Sequence, residues 1–232
     1  MVRVRTSDKP AGRRLRRSAL ALIIVCVTSA ALAAPALAVS QNGYRDVTGY
    51  DGVRASIGDE GISPRSDDCL IFSVSAESTD AEYQLEVGFL KCGSNATIDH
   101  TCGVSGHKET KFVEQDFQNS YTCYPHGDYS GGTYSYRATR DATGSNIIYG
   151  YIGSTEYEGE GGLPRATTMI QAWGEESNAN TCSGWTAFGA FSSLSRYNIS
   201  TGFSVINPST YSYGPACWTR TGISGGNFDV YR

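Results

Sequence analysis

Histidine is scarce in this chain, with three residues in 232. His100, His107 and His126 fall in one loop-rich stretch at intervals of seven and 19 residues. Those intervals match no familiar zinc-ligand spacing, so surface histidines are expected and a metal site is not. No Gly-x-Ser-x-Gly elbow occurs, and so few histidines leave little for a serine triad to draw on. No stretch keeps helical periodicity over three turns. No composition break, long linker or internal repeat divides the chain. A stop-transfer pattern is missing too, and the apolar run from Ala19 to about Leu32 is too short and alanine-rich to prefer a permanent span.

That run belongs to an N-terminal leader. Arg3, Arg5, Lys9, Arg13, Arg14, Arg16 and Arg17 form a basic region ahead of it, and Ala36-Leu37-Ala38 ends it as a small-residue cleavage site. The surroundings of Arg13-Arg14 and Arg16-Arg17 fit twin-arginine export poorly, so ordinary secretion to the extracellular space is expected. Residues 1–38 are then a signal peptide, 39–48 a short N-terminal segment and 49–232 a single domain. Positive charge is thin after the leader. The chain holds 19 basic and 23 acidic residues; the leader takes seven and one, leaving 12 against 22 and a net charge near −10. Such a surface argues against nucleic acid and anionic membranes as partners, and a monomer is the expectation.

Cys26 leaves with the leader, so six cysteines remain: Cys69, Cys92, Cys102, Cys123, Cys182 and Cys217. An even number in an exported chain points to three disulfides. Six cysteines allow 15 pairings. The expected set is Cys92–Cys102 across a local loop, with Cys182–Cys217 and Cys69–Cys123 joining distant segments. No cysteine has a neighbouring histidine that would activate it, which disfavours a thiol enzyme.

What is abundant is Gly, Ser, Thr and Tyr, in apolar patterns of period two. Strands are expected at Gly52–Ile57, Cys69–Ala76, Tyr83–Leu90, Lys111–Phe117, Thr133–Thr139, Ile147–Ile152, Met169–Trp173, Trp185–Leu194 and Asn227–Tyr231. Turn signals such as Gly131-Gly132 and Ala142-Thr143-Gly144-Ser145 separate them. Many short strands with glycine-rich turns favour an all-β fold of two antiparallel sheets, a β-sandwich or jelly roll.

Two of these strands carry the functional signal. In Tyr83–Phe89, Tyr83, Leu85, Val87 and Phe89 share the apolar face and Glu86 lies on the other. In Thr168–Glu175, Ile170, Ala172 and Gly174 face one way, and Gln171, Trp173 and Glu175 the opposite way. A carboxylate and an amide can thus come to one sheet face. Solvated surface positions are the ordinary role of such residues. Tyr83, Trp173 and Trp185 add large aromatic surfaces nearby, as cleft walls or as core.

The blocks Leu85-Glu86-Val87-Gly88-Phe89 and Met169-Ile170-Gln171-Ala172-Trp173-Gly174-Glu175 resemble the two glutamate-bearing blocks of the neprosin-like secreted peptidases of plants. Glu86 stands at the first catalytic position, and Gln171 stands where that family has its second glutamate. Tyr50–Ile57 with Pro64 resembles the family's opening strand, and Phe188-Gly189-Ala190-Phe191 the strand after the second block. The fungal glutamic peptidases, of the eqolisin type, resemble the same plan and use one glutamine and one glutamate, with the glutamine first. The resemblance implies a jelly roll of the concanavalin A-like kind and a glutamic-protease hydrolase needing no cofactor.

Peptide hydrolysis requires a base for the attacking water, a stabilised oxyanion and a proton for the leaving amine. Glu86 suits the first and last tasks and Gln171 the second. With an ordinary Glu pKa of roughly 4.3, acid pH is the expected working range unless burial raises it. Glu175 is the alternative second carboxylate. A glycosidase or lectin acting on polysaccharide is the rival; Glu86 with Glu175 would serve a glycosidase, whereas Gln171 has no role there. A secreted binding module with a lost site is the third reading. Asp67-Asp68 and the run Glu156, Glu158, Glu160 are expected to be solvated loop charges.

Overall fold

The computed structural model describes residues 40–47, 49–78, 83–96, 102, 109–117, 120–140, 147–157, 168–177, 182–206, 208–213 and 216–232. All regular structure among them is β. One sheet runs in the order β13 (Ser209–Tyr213), β1 (Ser40–Asp46), β10 (Thr168–Glu176), β3 (Cys69–Ser78), β4 (Tyr83–Cys92), β5 (Glu109–Phe117) and β6 (Ser120–Asp128). The other runs β14 (Thr219–Arg220), β15 (Phe228–Tyr231), β11 (Phe188–Asn198), β2 (Gly52–Asp59), β7 (Gly132–Arg140), β8 (Ile148–Ile152) and β9 (Thr155–Tyr157). A short β12 (Gly202–Val205) extends from β11. Neighbouring strands pair antiparallel throughout, and the two sheets form the expected β-sandwich.

Alternation fills the space between the sheets. Leu85, Val87 and Phe89 of β4 meet Phe72 and Val74 of β3, Ile170 and Ala172 of β10, and from the opposite sheet Val53, Ile57, Tyr136 and Phe191. Each fully buried Val, Leu, Ile or Phe among them stabilises the fold by about 1.5–3 kcal/mol. Phe72 lies at the centre, with ring contacts to Phe89, Phe191 and Trp218. Gly189 makes room for it, since a Cβ there would fall 2.2 Å from Phe72 Cδ1.

Nine expected strands are present, and the structure adds others. Ser40–Asp46 is a full member of the first sheet rather than a segment ahead of the domain, pairing with β10 and β13. Its sequence, SQNGYRD, hides this because only Tyr44 is a large apolar residue. Trp185 precedes β11 and does not line a cleft; its indole is buried in the core 4.8 Å from Trp218. Tyr83 likewise packs against the core.

Three disulfides form, and two of the expected pairings are corrected. Cys69 bonds Cys92, its register partner across β3 and β4, and Cys102 bonds Cys123 on β6. Cys182–Cys217 is as expected. Pairing by loop length failed because strand register had already set Cys69 opposite Cys92.

Candidate functional site

The first sheet has a second face, and it is unusually polar for how deeply it is buried. Register places Gln171 of β10 opposite Ser75 of β3, Ser75 opposite Glu86 of β4, and Glu86 opposite Glu114 of β5. Since opposed residues share a face, these four side chains form one row across four strands. Gln171 and Glu86 are two strands apart, roughly 10 Å between backbones. Neighbouring rows add Glu77, Gln84 and Asp116 on one side and Trp173, Ser73 and Gly88 on the other. Gly88 is dictated by backbone proximity, because a Cβ there would fall 2.2 Å from the Phe72 carbonyl oxygen.

Glu86 is 4% exposed, and Gln84 Nε2 donates to its Oε2 at 3.0 Å. Its carboxyl is pushed well above the usual range, first by burial and then by the charges of Glu114, Glu175 and Glu77. Ser73 lies close enough to pull against this shift without closing a hydrogen bond of normal geometry. Two glutamates directly opposed, as Glu86 and Glu114 are, repel unless one holds a proton. Glu86 therefore keeps its proton to higher pH than a solvated glutamate does.

Gln171 is held from both sides. Arg45 of β1 donates to its Oε1 from Nε at 3.2 Å and from a terminal nitrogen at 3.0 Å, while Gln171 Nε2 donates to Glu77. Arginine only donates and a carboxylate accepts, so this pair of partners fixes which end of the amide is oxygen. Glu77 is itself raised by burial, against the pull of Arg45 and of the Gln171 bond. Ser75, between Gln171 and Glu86, is completely buried, and its hydroxyl has no hydrogen-bond partner among the described residues.

Glu175 lies on the same face, and its Oε2 accepts from Gln41 Nε2 at 2.7 Å and from the Trp173 indole at 3.1 Å. Trp173 is thus a buried positioning group, 2% exposed, rather than an open cleft wall. A cavity of about 120 Å³ is lined by Gln41, Ile71, Gln84, Glu86, Glu114, Asp116 and Glu175. Sites that enclose a ligand measure about 300–1,000 Å³, so this one accommodates water and a substrate fragment, not a whole substrate. Glu86 and Glu175 border it; Gln171 does not.

Of the residues expected from sequence, Glu86, Gln171, Trp173 and Glu175 share this face, and Tyr83 is on the other. Arg45, Gln41, Ser75, Glu77 and Glu114 went unnoticed. Extending the alternation of Lys111–Phe117 and Cys69–Ala76 to their solvent-side positions would have found Glu114, Ser75 and Glu77. Other expectations fare differently. Asp68 is not a solvated loop charge: it is fully buried with Arg65, Glu176 and Ser177. His126 packs on Tyr157 with ring centroids 3.6 Å apart, and burial lowers its pKa. His100, His107, Glu158 and Glu160 lie outside the described residues. Among those described, no cluster of His, Cys, Asp and Glu is arranged to hold a metal ion.

No protein-family model matches the chain, and no curated protein matches its sequence. Solved structures do. Scytalido-glutamic peptidase with a transition-state analogue inhibitor superposes at a TM-score of 0.57 and 13% identity, covering 82% of this chain and 97% of that one. The same peptidase with a peptide-based transition-state analogue gives 0.52 and 12% over the same shares. A member of the eqolisin family in complex with a tripeptide reaches 0.48 and 11%, over 82% and 96%. The likeness is one of fold.

Proposed function

We propose that this protein is a secreted, extracellular hydrolase of the glutamic-peptidase type, acting on peptide bonds of protein substrates. Glu86 is the proton-transfer residue and Gln171 the amide that positions water and the oxyanion. The observation that carries this reading is the row Gln171–Ser75–Glu86, with a buried hydroxyl lacking a partner between the two groups. A scissile carbonyl brought to this row would be flanked by the Glu86 carboxyl on one side and the Gln171 amide on the other.

The chemistry follows from the groups present. Deprotonated Glu86 accepts a proton from water as the water attacks the carbonyl carbon. It then returns that proton to the departing amine, so one residue serves as base and acid in turn. Gln171 spends one amide N–H on Glu77; the second is the donor assigned to the oxyanion. Arg45 keeps that amide from turning over. Because Glu86 is raised, its base form appears at higher pH than for a solvated glutamate, moving the working range up from pH near 4.

A second reading rests on a specific observation: Glu86 and Glu175 border the same cavity, as the two carboxyls of a glycosidase would. Two substrates separate the readings. Purified protein lacking the leader is incubated over about pH 3–7 with an unfolded protein and, separately, with polysaccharides. New peptide termini with no release of reducing sugar support the peptidase. Reducing sugar without peptide cleavage overturns it.

A further inference from the structure

The outer face of the second sheet sets two arginines opposite each other on an otherwise acidic molecule. Val53, Ala55 and Ile57 of β2 and Tyr136 and Ala138 of β7 are buried in the core, so Arg54 and Arg137 point outward. The two arginines are register partners across β2 and β7, and Arg137 is in turn opposite Tyr151 of β8. Arg54 lies over the Phe203 ring of β12 at 3.9 Å, and Arg137 over the Tyr151 ring at 3.5 Å. Tyr197 of β11 joins Phe203 with ring centroids 4.9 Å apart. From β12 to β8 this strip of rings and guanidiniums crosses four strand spacings, roughly 19 Å.

No carboxylate pairs with Arg54 or Arg137 among the described residues, although 22 acids remain after the leader against 12 bases. The acid on their row, Glu156, accepts instead from the Tyr151 hydroxyl at 2.5 Å. Like charges directly opposed across strands are unfavourable, and cation–π contact with the rings offsets only part of that. Arg137 Nε is moreover buried without a hydrogen-bond partner. Two guanidiniums with unspent donors, leaning apart onto half-exposed rings on either side of the β2–β7 pair, form a receptor for spaced carboxylates.

We propose that this face binds an acidic polysaccharide, with Arg54 and Arg137 each engaging a uronate carboxylate and the flanking rings taking the sugar faces. Charge spacing selects this occupant. Duplex nucleic acid carries one charge per roughly 1.7 Å and needs many cations to hold it, whereas the rest of this surface is acidic and repels so dense a polyanion. A uronate chain carries a single charge on each sugar, a density low enough for two guanidiniums flanked by rings to engage. The face lies on the sheet opposite the Glu86 row, so docking there anchors the protein on an acidic matrix without occupying the proposed active site.

Native-gel affinity electrophoresis tests this with polygalacturonate, neutral dextran or DNA cast into the gel. Polygalacturonate is expected to retard the protein at low salt, with retardation fading as salt rises, and dextran and DNA are not. The double variant Arg54→Ala/Arg137→Ala is expected to bind about a hundredfold more weakly, roughly tenfold per guanidinium removed, with thermal unfolding as the check on its fold. Should the variant not fold, hydrogen–deuterium exchange of the wild type gives the answer: polygalacturonate should protect β2, β7 and β8 and leave β4 and β10 unchanged. Unretarded wild type, equal retardation of a folded double variant, stronger retardation by dextran or DNA, or protection confined to β4 and β10 each overturns the proposal. Neither assay involves hydrolysis, so the result stands apart from the fate of the peptidase reading.

Discussion

Glu175 and Glu176 are neighbours on one strand, nearly equally buried, and serve two different structures. Glu176 points to the side where Asp68, Arg65 and Ser177 close around it, with Arg65 at 3.2 Å from its carboxylate and 3.6 Å from that of Asp68. Its pKa is raised to about 9, by burial first and then by the Asp68 carboxyl that shares its proton. Glu175 points to the opposite face, where with Glu86 it borders the cavity and where no cation figures among the groups acting on Glu86. Two clusters of buried carboxyls thus share a strand. One closes around Arg65; the other borders a cavity, and its arginine, Arg45, engages Gln171 and Glu77 rather than Glu86. Burial and a raised pKa mark both, so neither property alone marks a reactive site. The cavity and the lack of a cation among the groups acting on Glu86 are what separate them.

The sharpest way to break this contrast is to remove the cation from the sealed cluster. Arg65→Met leaves the buried Asp68–Glu176 pair, which holds one proton between its two carboxyls at neutral pH, without its cation and is expected to cost about 3–5 kcal/mol there. The loss should be smaller at acid pH, as Asp68, whose pKa is raised by burial, takes up its proton. Thermal unfolding at the two pH values measures it, and hydrolysis per folded molecule should not change. An equal loss at both pH values would mean that Arg65 acts by packing alone.

The two clusters agree in one respect, which gives the next prediction. Glu86, Glu77, Asp68, Glu109 and Glu176 all bind their protons more tightly in the folded chain than in the unfolded one. The native state therefore carries more protons, and stability must fall as pH rises. Their contribution is complete below the unfolded Glu pKa of roughly 4.3, and the Glu176 share is lost progressively from there until pH passes about 9. Denaturant midpoints measured from acid to alkaline pH should decline steadily, and a maximum at neutral or alkaline pH would refute this.

The strand alternation that placed Glu86 and Gln171 on one face was legible in the sequence, because both strands keep an unbroken apolar register on their other side. The supporting residues were not. Arg45 and Gln41 reside on β1, whose outward and inward positions are nearly all polar, so no period-two signal announces it. Ser75 and Glu77 lie on a strand whose apolar residues mark only its core face. Asp68 looked like a loop charge because what buries it, Arg65 and Glu176, is brought together only by the fold. The disulfides teach the same lesson, since cross-strand register overruled loop length for Cys69 and Cys92.

Within the open cluster, smaller changes sharpen the assignment. Arg45→Met frees the Gln171 amide to turn over and should lower kcat by up to roughly a hundredfold while leaving KM nearly unchanged. A purely structural Arg45 would instead lower thermal stability and leave kcat per folded molecule intact. Ser75→Ala is the mildest. Removing a buried hydroxyl with no partner should leave stability equal or higher by about 1 kcal/mol, yet reduce hydrolysis if that hydroxyl meets the substrate.

The most direct measurement is the pH–rate profile for cleavage of an unfolded protein by the wild type and by Glu86→Gln. The substitution keeps the shape of the side chain and removes only its proton chemistry. Wild-type cleavage should rise as Glu86 loses its proton, above the range of a solvated glutamate, and Glu86→Gln should be inactive at every pH while remaining folded. A folded Glu86→Gln variant that cleaves with the wild-type profile would contradict the assignment of Glu86 as the proton-transfer residue.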